Sequence, residues 1–279
     1  MNKHSFCQGS LKQELIAILE SDLFTLSNKE IAGYYEQMIR EFDLDTNTKL
    51  KDLSLSKDFK SINRVPMERK DLKLRNLGTD FPVYFGNPEA CKERIMIIAM
   101  DAKRNAPNSD DVVVLNSVFS LHSLPNGRET TKNDYWKFIE PLTKENFVYI
   151  TDVYKLFYEY TNLEGKPKIS NKDQNFTDTK NGSIHKAILD KEIALIRPTK
   201  IITLGKEAKT ALLAIRPDLG EKEKREIECI FMPHISRIVS QNVPTVADFF
   251  IGLGKLKDNK DLIKFGEEIK KQFKQHFKK

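Results

Sequence analysis

Cysteine is scarce in this chain. Three of 279 residues are Cys, at positions 7, 91 and 229, and no pair has the Cys-x-x-Cys spacing of a zinc knuckle or redox pair. Neither a bound zinc nor a disulfide framework is indicated, and buried free thiols are the expectation. Long apolar runs are missing too. Nothing approaches the roughly 20 residues that a helix needs to cross a bilayer. Residues 1–10 contain no apolar signal region, so a cytoplasmic protein without a membrane partner is expected. There is no internal repeat. A strong excess of one charge is absent from the body of the chain. Net charge is +6, but residues 255–279 hold nine Lys and four acids, 9 − 4 = +5, which leaves about +1 for the rest. Such a body cannot hold nucleic acid by bulk charge, and any phosphate contacts there must be local.

What the chain does have is four short apolar runs, each ending in polar residues. They are Ile95-Met-Ile-Ile-Ala-Met-Asp101, Phe147-Val-Tyr-Ile-Thr-Asp152, Lys200-Ile-Ile-Thr-Leu-Gly205 and Ile227-Glu-Cys-Ile-Phe-Met-Pro-His234. Runs of this length, rich in β-branched residues and separated by helical stretches, read as buried parallel strands. In an open α/β sheet the chemistry gathers at the carboxyl ends of the strands. Asp101, Asp152 and His234 are therefore expected to converge on one cleft.

Around these strands the reading is coarser. Residues 10–43 read as two helices, the first with an apolar stripe of Leu11, Leu15, Ile18 and Leu19. The second begins at the capping box Ser27-Asn-Lys-Glu30. Residues 44–80 read as a linker or loosely packed extension. Phe81-Pro-Val-Tyr-Phe-Gly86 reads as an edge strand, because Pro82 cannot donate to a ladder. Within the loop-rich segment 102–132, Asp110–His122 reads as a helix. Further helices are expected at 133–145, 183–197 and 206–215, with a long polar insertion at 161–182. Pro244 starts another helix, and 258–277 forms a basic amphipathic one. This gives a helical extension and linker at 1–80, an α/β domain at 81–256 and a C-terminal helix at 257–279.

The four strand ends, in their order and spacing, resemble the uracil-DNA glycosylase superfamily over roughly residues 82–256. Ala99-Met-Asp101-Ala-Lys-Arg104 stands where that family has a short loop with an acidic or Asn residue. Thr151-Asp152-Val-Tyr-Lys155 is similar to its Thr-Asn followed by Lys. Ile201-Ile-Thr-Leu-Gly205-Lys-Glu-Ala208 matches its apolar strand, Leu-Gly and helix, and Pro233-His234-Ile-Ser236-Arg237 is similar to its His-Pro-Ser. The resemblance implies a three-layer α/β/α fold with a four-stranded, mainly parallel sheet of order 2-1-3-4. It also implies an N-glycosyl hydrolase that flips a base out of DNA. Breaking a base–sugar bond builds positive charge on the sugar and negative charge on the leaving base. By resemblance Asp101 supplies the carboxylate beside the sugar, and His234 stabilises the departing base. Asp152 and Phe119 would contact the base, one at its polar edge and one by stacking. Lys103, Arg104, Lys155, Ser236 and Arg237 would meet phosphates. DNA is the implied partner of a monomer, with no metal and no cofactor.

The departures from the family pattern are informative. The family's Asn at the second strand end reads the flipped base through a paired donor and acceptor, whereas an ionised Asp152 only accepts. That argues against uracil as the base. The cysteines that ligate an iron–sulfur cluster in some branches are absent. Two alternatives follow. One is a non-catalytic nucleic-acid-binding module on the same fold, which Asp152 favours. The other is an α/β hydrolase of small molecules or nucleotides, unrelated to DNA.

Overall fold

The structure, a computed structural model, describes residues 5–44, 53–55, 73–101, 113–123, 128, 134–161, 167–169, 180–220 and 227–232. The four apolar runs form strands β4 (Arg94–Asp101), β6 (Phe147–Tyr154), β9 (Lys200–Leu204) and β10 (Glu228–Met232). All four are mutually parallel, in the spatial order β10-β9-β4-β6. This is the expected order 2-1-3-4. Every residue of β6 and β9 is buried. A strand covered on both faces has no polar side to present, which is why these segments read as continuous apolar runs rather than alternating ones. The fold class is α/β.

Among the described residues a fifth strand joins the four of the main sheet. The fifth is β3 (Val83–Phe85), antiparallel to β6 at the edge, as Pro82 led us to expect. The chain start covers this edge. Phe6 bridges to Phe85, the Cys7 amide donates to the Tyr84 carbonyl at 2.9 Å, and the Gly86 amide donates to Ser5 at 2.9 Å. Gly86 has φ +86, and a Cβ there would lie 3.1 Å from the Asn146 carbonyl oxygen, so the turn leaving β3 requires glycine.

Three segments differ from the sequence reading, and with Leu156–Thr161 they build a second sheet, of five strands among the described residues. Its order is β1-β5-β2-β7-β8, with β1 (Leu53–Leu55), β2 (Lys73–Phe81), β5 (Val113–Ser117), β7 (Leu156–Thr161) and β8 (Pro167–Ile169). Residues 44–80 thus contain two strands. The expected helix at Asp110–His122 is instead β5 followed by a 3-10 turn, Val118–Ser120. The insertion at 161–182 contains β8 and the start of a helix. The two sheets share one long antiparallel ribbon. β2 runs through Pro82 into β3, and β6 runs through Lys155 into β7. Because β6 leaves the main sheet at its carboxyl end, the second sheet begins at that edge.

The helices are α1 (Leu11–Ile18, continued by a π-helical turn, Leu19–Leu23), α2 (Asn28–Leu44), α3 (Asp134–Leu142), α4 (Lys180–Ile196) and α5 (Lys206–Ile215). The predicted stripe on α1 is buried at Leu11, Leu15 and Leu19. The capping box of α2 is formed: the Ser27 amide donates to Glu30 at 2.8 Å, and the Glu30 amide donates back to Ser27 Oγ at 3.4 Å. An aromatic cluster joins the chain start, α2 and α3 to β3. Phe6 stacks on Phe42 at 4.5 Å, and Phe85 lies 5.3 Å from Phe6, 5.8 Å from Phe42 and 5.5 Å from Trp136. Ring pairs of this kind contribute about 0.5–1.5 kcal/mol each beyond their buried area. The helices expected after Pro244 and at 258–277 lie outside the described residues.

Candidate functional site at the carboxyl edge

Asp101 is the last residue of β4 and pairs with Tyr154, while Asp152 on β6 pairs with Ala99. Paired residues of a parallel ladder are in phase, so positions 99, 101, 152 and 154 fall on one face of the sheet. Strand spacing and rise per residue put the Cα atoms of Asp101 and Asp152 roughly 8 Å apart. The two carboxylate positions thus occupy adjacent strands at the carboxyl edge. Asp152 is buried, with 1% of its surface exposed. On the far side of β4, β9 ends at Leu204, and Gly205 follows with φ +98, turning the chain into α5 and donating its amide to the Met232 carbonyl at 2.8 Å. That bond aligns the ends of β9 and β10. His234, Ser236 and Arg237 follow β10 and lie outside the described residues, as do Lys103 and Arg104.

Lys155 departs from its expected role. It sits where β6 passes into β7 and is wholly buried. Its Nζ pairs with Glu192 Oε2 of α4 at 2.8 Å and donates to Thr151 Oγ1 at 2.6 Å and to the Asp152 carbonyl. An ammonium enclosed in this way does not present itself to a phosphate. Glu192 in turn accepts from Tyr149 Oη at 2.9 Å and from Thr151 Oγ1 at 3.1 Å. Burial and the adjacent Glu192 charge push the Tyr149 phenol well above its ordinary value. The pair holds the end of β6 against α4, so the Asp152 backbone is anchored by the ammonium behind it.

His185, also on α4, is wholly buried beside this network. Its Nδ1 accepts the Lys155 amide at 3.3 Å, and its ring meets Tyr154 edge-on at 5.5 Å. Desolvation, with the Lys155 charge adding to it, pushes the imidazole down to about 3. The ring is therefore neutral at physiological pH, with its proton on Nε2. On the other side Thr79 Oγ1 donates to the Lys155 carbonyl at 2.7 Å, tying the bend to β2.

Phe119 lies in the 3-10 turn after β5, half-buried, and the turn packs against β6. It is not on a helix face. Its ring stacks on Tyr135 of α3 at 3.9 Å, 16° from parallel. Phe119 and Ser120 both have φ of 56°, the left-handed region that side chains other than glycine seldom occupy. A buried polar net surrounds them. Asn116 Nδ2 donates to Ser120 Oγ at 2.7 Å, and the Ser117 amide donates to Asn116 Oδ1 at 2.9 Å. Ser117 Oγ accepts the His122 amide at 3.1 Å and lies 2.7 Å from His122 Nδ1. The other ring nitrogen of His122 lies 3.5 Å from Glu41 of α2.

Sequence reasoning missed Glu192, His185, Asn116 and His122. A signal existed for the first two. His185, Ile188, Leu189 and Glu192 recur at helical spacing, so two polar residues share the buried face of α4. Among the described residues no group of three or more His, Cys, Asp or Glu is arranged to hold a metal ion. Among them, too, no helix is long and apolar enough to cross a membrane.

No protein-family profile and no curated protein matches this chain. Among solved structures it is similar to the wild-type SMUG2 of Pedobacter heparinus, at 15% identity and a TM-score of 0.32, covering 57% of this chain and 71% of that one. A likeness of that degree assigns neither family nor activity.

Proposed function

We propose that the chain is a DNA glycosylase-like protein that hydrolyses a base–sugar bond at the carboxyl edge of its main sheet. The observation that carries this reading is the register of Asp101 and Asp152 on adjacent parallel strands of a sheet ordered 2-1-3-4. In this reading Asp101 stabilises charge on the sugar and orients a water, His234 stabilises the leaving base, and Phe119 stacks on the flipped base. Lys103, Arg104, Ser236 and Arg237 contact phosphates. Asp152 accepts from an exocyclic amine, so the base is one that carries such a donor rather than uracil.

The test is base release from duplexes carrying uracil, hypoxanthine or xanthine, which lack an exocyclic amine, and from mismatches that leave an adenine, cytosine or guanine unpaired, which carry one, with alkali to reveal abasic sites. Asp101→Asn is expected to lower the single-turnover rate by about 10²–10³, the usual loss when one stabilising group is removed from a developing charge. Asp152→Asn restores a donor at the base edge and is expected to raise uracil excision. An unchanged rate in Asp101→Asn would place the chemistry elsewhere. Uracil excision that falls in Asp152→Asn would show that Asp152 does not read the base as an acceptor. The second reading, a binding module without catalysis, is favoured by the burial of Asp152 and of Lys155, which leaves little polar surface at the end of β6. It predicts duplex binding with no base release from any of these substrates.

A further inference from the structure

The turn that carries Phe119 is held in a conformation its own sequence disfavours. Two consecutive residues that are not glycine take φ of 56°, one of them a bulky aromatic. Such backbone persists only where its surroundings over-determine it. Here those surroundings are identifiable. Asn116, the fourth residue of β5, reaches forward to Ser120 Oγ at 2.7 Å while its oxygen accepts the Ser117 amide. Ser117, wholly buried, takes the His122 amide and faces His122 Nδ1, which closes the turn from its far side. The other ring nitrogen, Nε2, faces Glu41 Oε2 at 3.5 Å. The turn is therefore tied to β5 by Asn116 and by the Ser117–His122 contacts, with His122 facing α2.

We infer that Asn116 and His122 are positioning residues. They hold the Phe119–Ser120 turn left-handed so that the Phe119 ring lies flat on Tyr135 and stays fixed beside β6, ready to stack on a base. The consequence for the ligand rests on the glycosylase-like reading above; the control of the ring pair does not. Tyr135 covers one face of the Phe119 ring at 3.9 Å, so a base that stacks on this ring must use the other face. A platform backed by a second ring loses less rotamer freedom on binding than a lone side chain would.

The test uses the full chain and a variant pair built on glycine's tolerance of positive φ. Asn116→Ala removes the tie, and Ser120→Gly makes the same backbone intrinsically accessible. In protein free of DNA, ring-to-ring NOEs between Phe119 and Tyr135 are expected to be lost in Asn116→Ala and regained in Asn116→Ala/Ser120→Gly. A residue that served only general stability would not be rescued by a glycine that adds no contact. NOEs that survive in Asn116→Ala, or that stay lost in the double variant, overturn the positioning role. The second readout is the fluorescence of a duplex carrying 2-aminopurine, which stacking on an aromatic ring quenches. Quenching by the natural protein is expected to be lost and regained in the same order. Equal quenching by the natural protein and Asn116→Ala would show that the ring pair does not serve the base, and would overturn that part. Base release from damaged duplexes is scored separately. Its absence with every substrate would end the glycosylase reading while leaving the NOE result to stand or fall by itself.

Discussion

Lys155 and Glu192 are the pair on which the end of β6 depends. Two opposite charges with no exposed side-chain surface are 2.8 Å apart, and each satisfies further polar groups. Removing one partner leaves the other buried without compensation, at about 3–5 kcal/mol, whereas replacing both with apolar residues is close to neutral. Lys155→Met is therefore expected to lower unfolding free energy by that amount, and Lys155→Met/Glu192→Leu to recover most of the loss. Denaturant titrations of the natural protein and both variants check this. A single variant within 1 kcal/mol of the natural protein would show that the charges are hydrated. Sequence could not have revealed the pair. Lysine is among the residues least often buried, and its partner lies 37 residues away on another element. The position of Asp101 was legible because the end of its apolar run marks the end of β4, whereas Asp152 lies inside β6, which runs on to Tyr154.

At the scale of elements, the described part of the chain divides by how each segment stores its apolar residues. β4, β6, β9 and β10 announce themselves because strands buried on both faces are continuously apolar. The second sheet does not. β1 and β8 have three residues each, and β2 mixes Lys73, Arg75, Asn76 and Asp80 into its nine. In β5 and the turn after it, Leu115, Val118 and Phe119 are spaced like one face of a helix, but pairing with β2 and β1 decides the outcome. Those pairings join residues far apart in sequence, which no local window contains. The edge of the main sheet gives a prediction at this scale. β3 is covered by Ser5–Gln8, and Phe6, 1% exposed, anchors that cover between Phe42 and Phe85. Phe6→Ala is expected to cost about 3–5 kcal/mol, the range for large core aromatics. It should also free the β3 edge, which then becomes a template for pairing with other chains. Light scattering during storage of the variant should rise with protein concentration. A variant that melts like the natural protein and stays clear would mean that the cover is dispensable.

For the whole molecule, His185 ties folding to pH. In the unfolded chain its imidazole titrates near the ordinary value of 6.5, and in the fold burial and Lys155 push it down to about 3. Between these values the unfolded state binds a proton that the folded state does not. The contribution of the neutral ring is thus complete above pH 6.5 and is lost as pH falls toward 3, with a slope approaching 1.4 kcal/mol per unit. At pH 5 the loss from this residue alone is about 2 kcal/mol. Other groups act over the same range. The half-buried carboxyl of Glu41 is raised by desolvation, which favours the fold as pH falls, while Glu30 and Asp218 are lowered by their hydrogen bonds from Ser27 and Arg216, which has the opposite sign. The comparison must therefore isolate the ring. His185→Asn keeps an acceptor where Nδ1 receives the Lys155 amide but cannot take up a proton. Unfolding free energies measured at pH 7 and pH 5 should drop by about 2 kcal/mol more in the natural protein than in His185→Asn. Equal drops would mean that the ring reaches solvent and is protonated in the fold, and that the α4–β6 junction opens far more readily than its packing indicates.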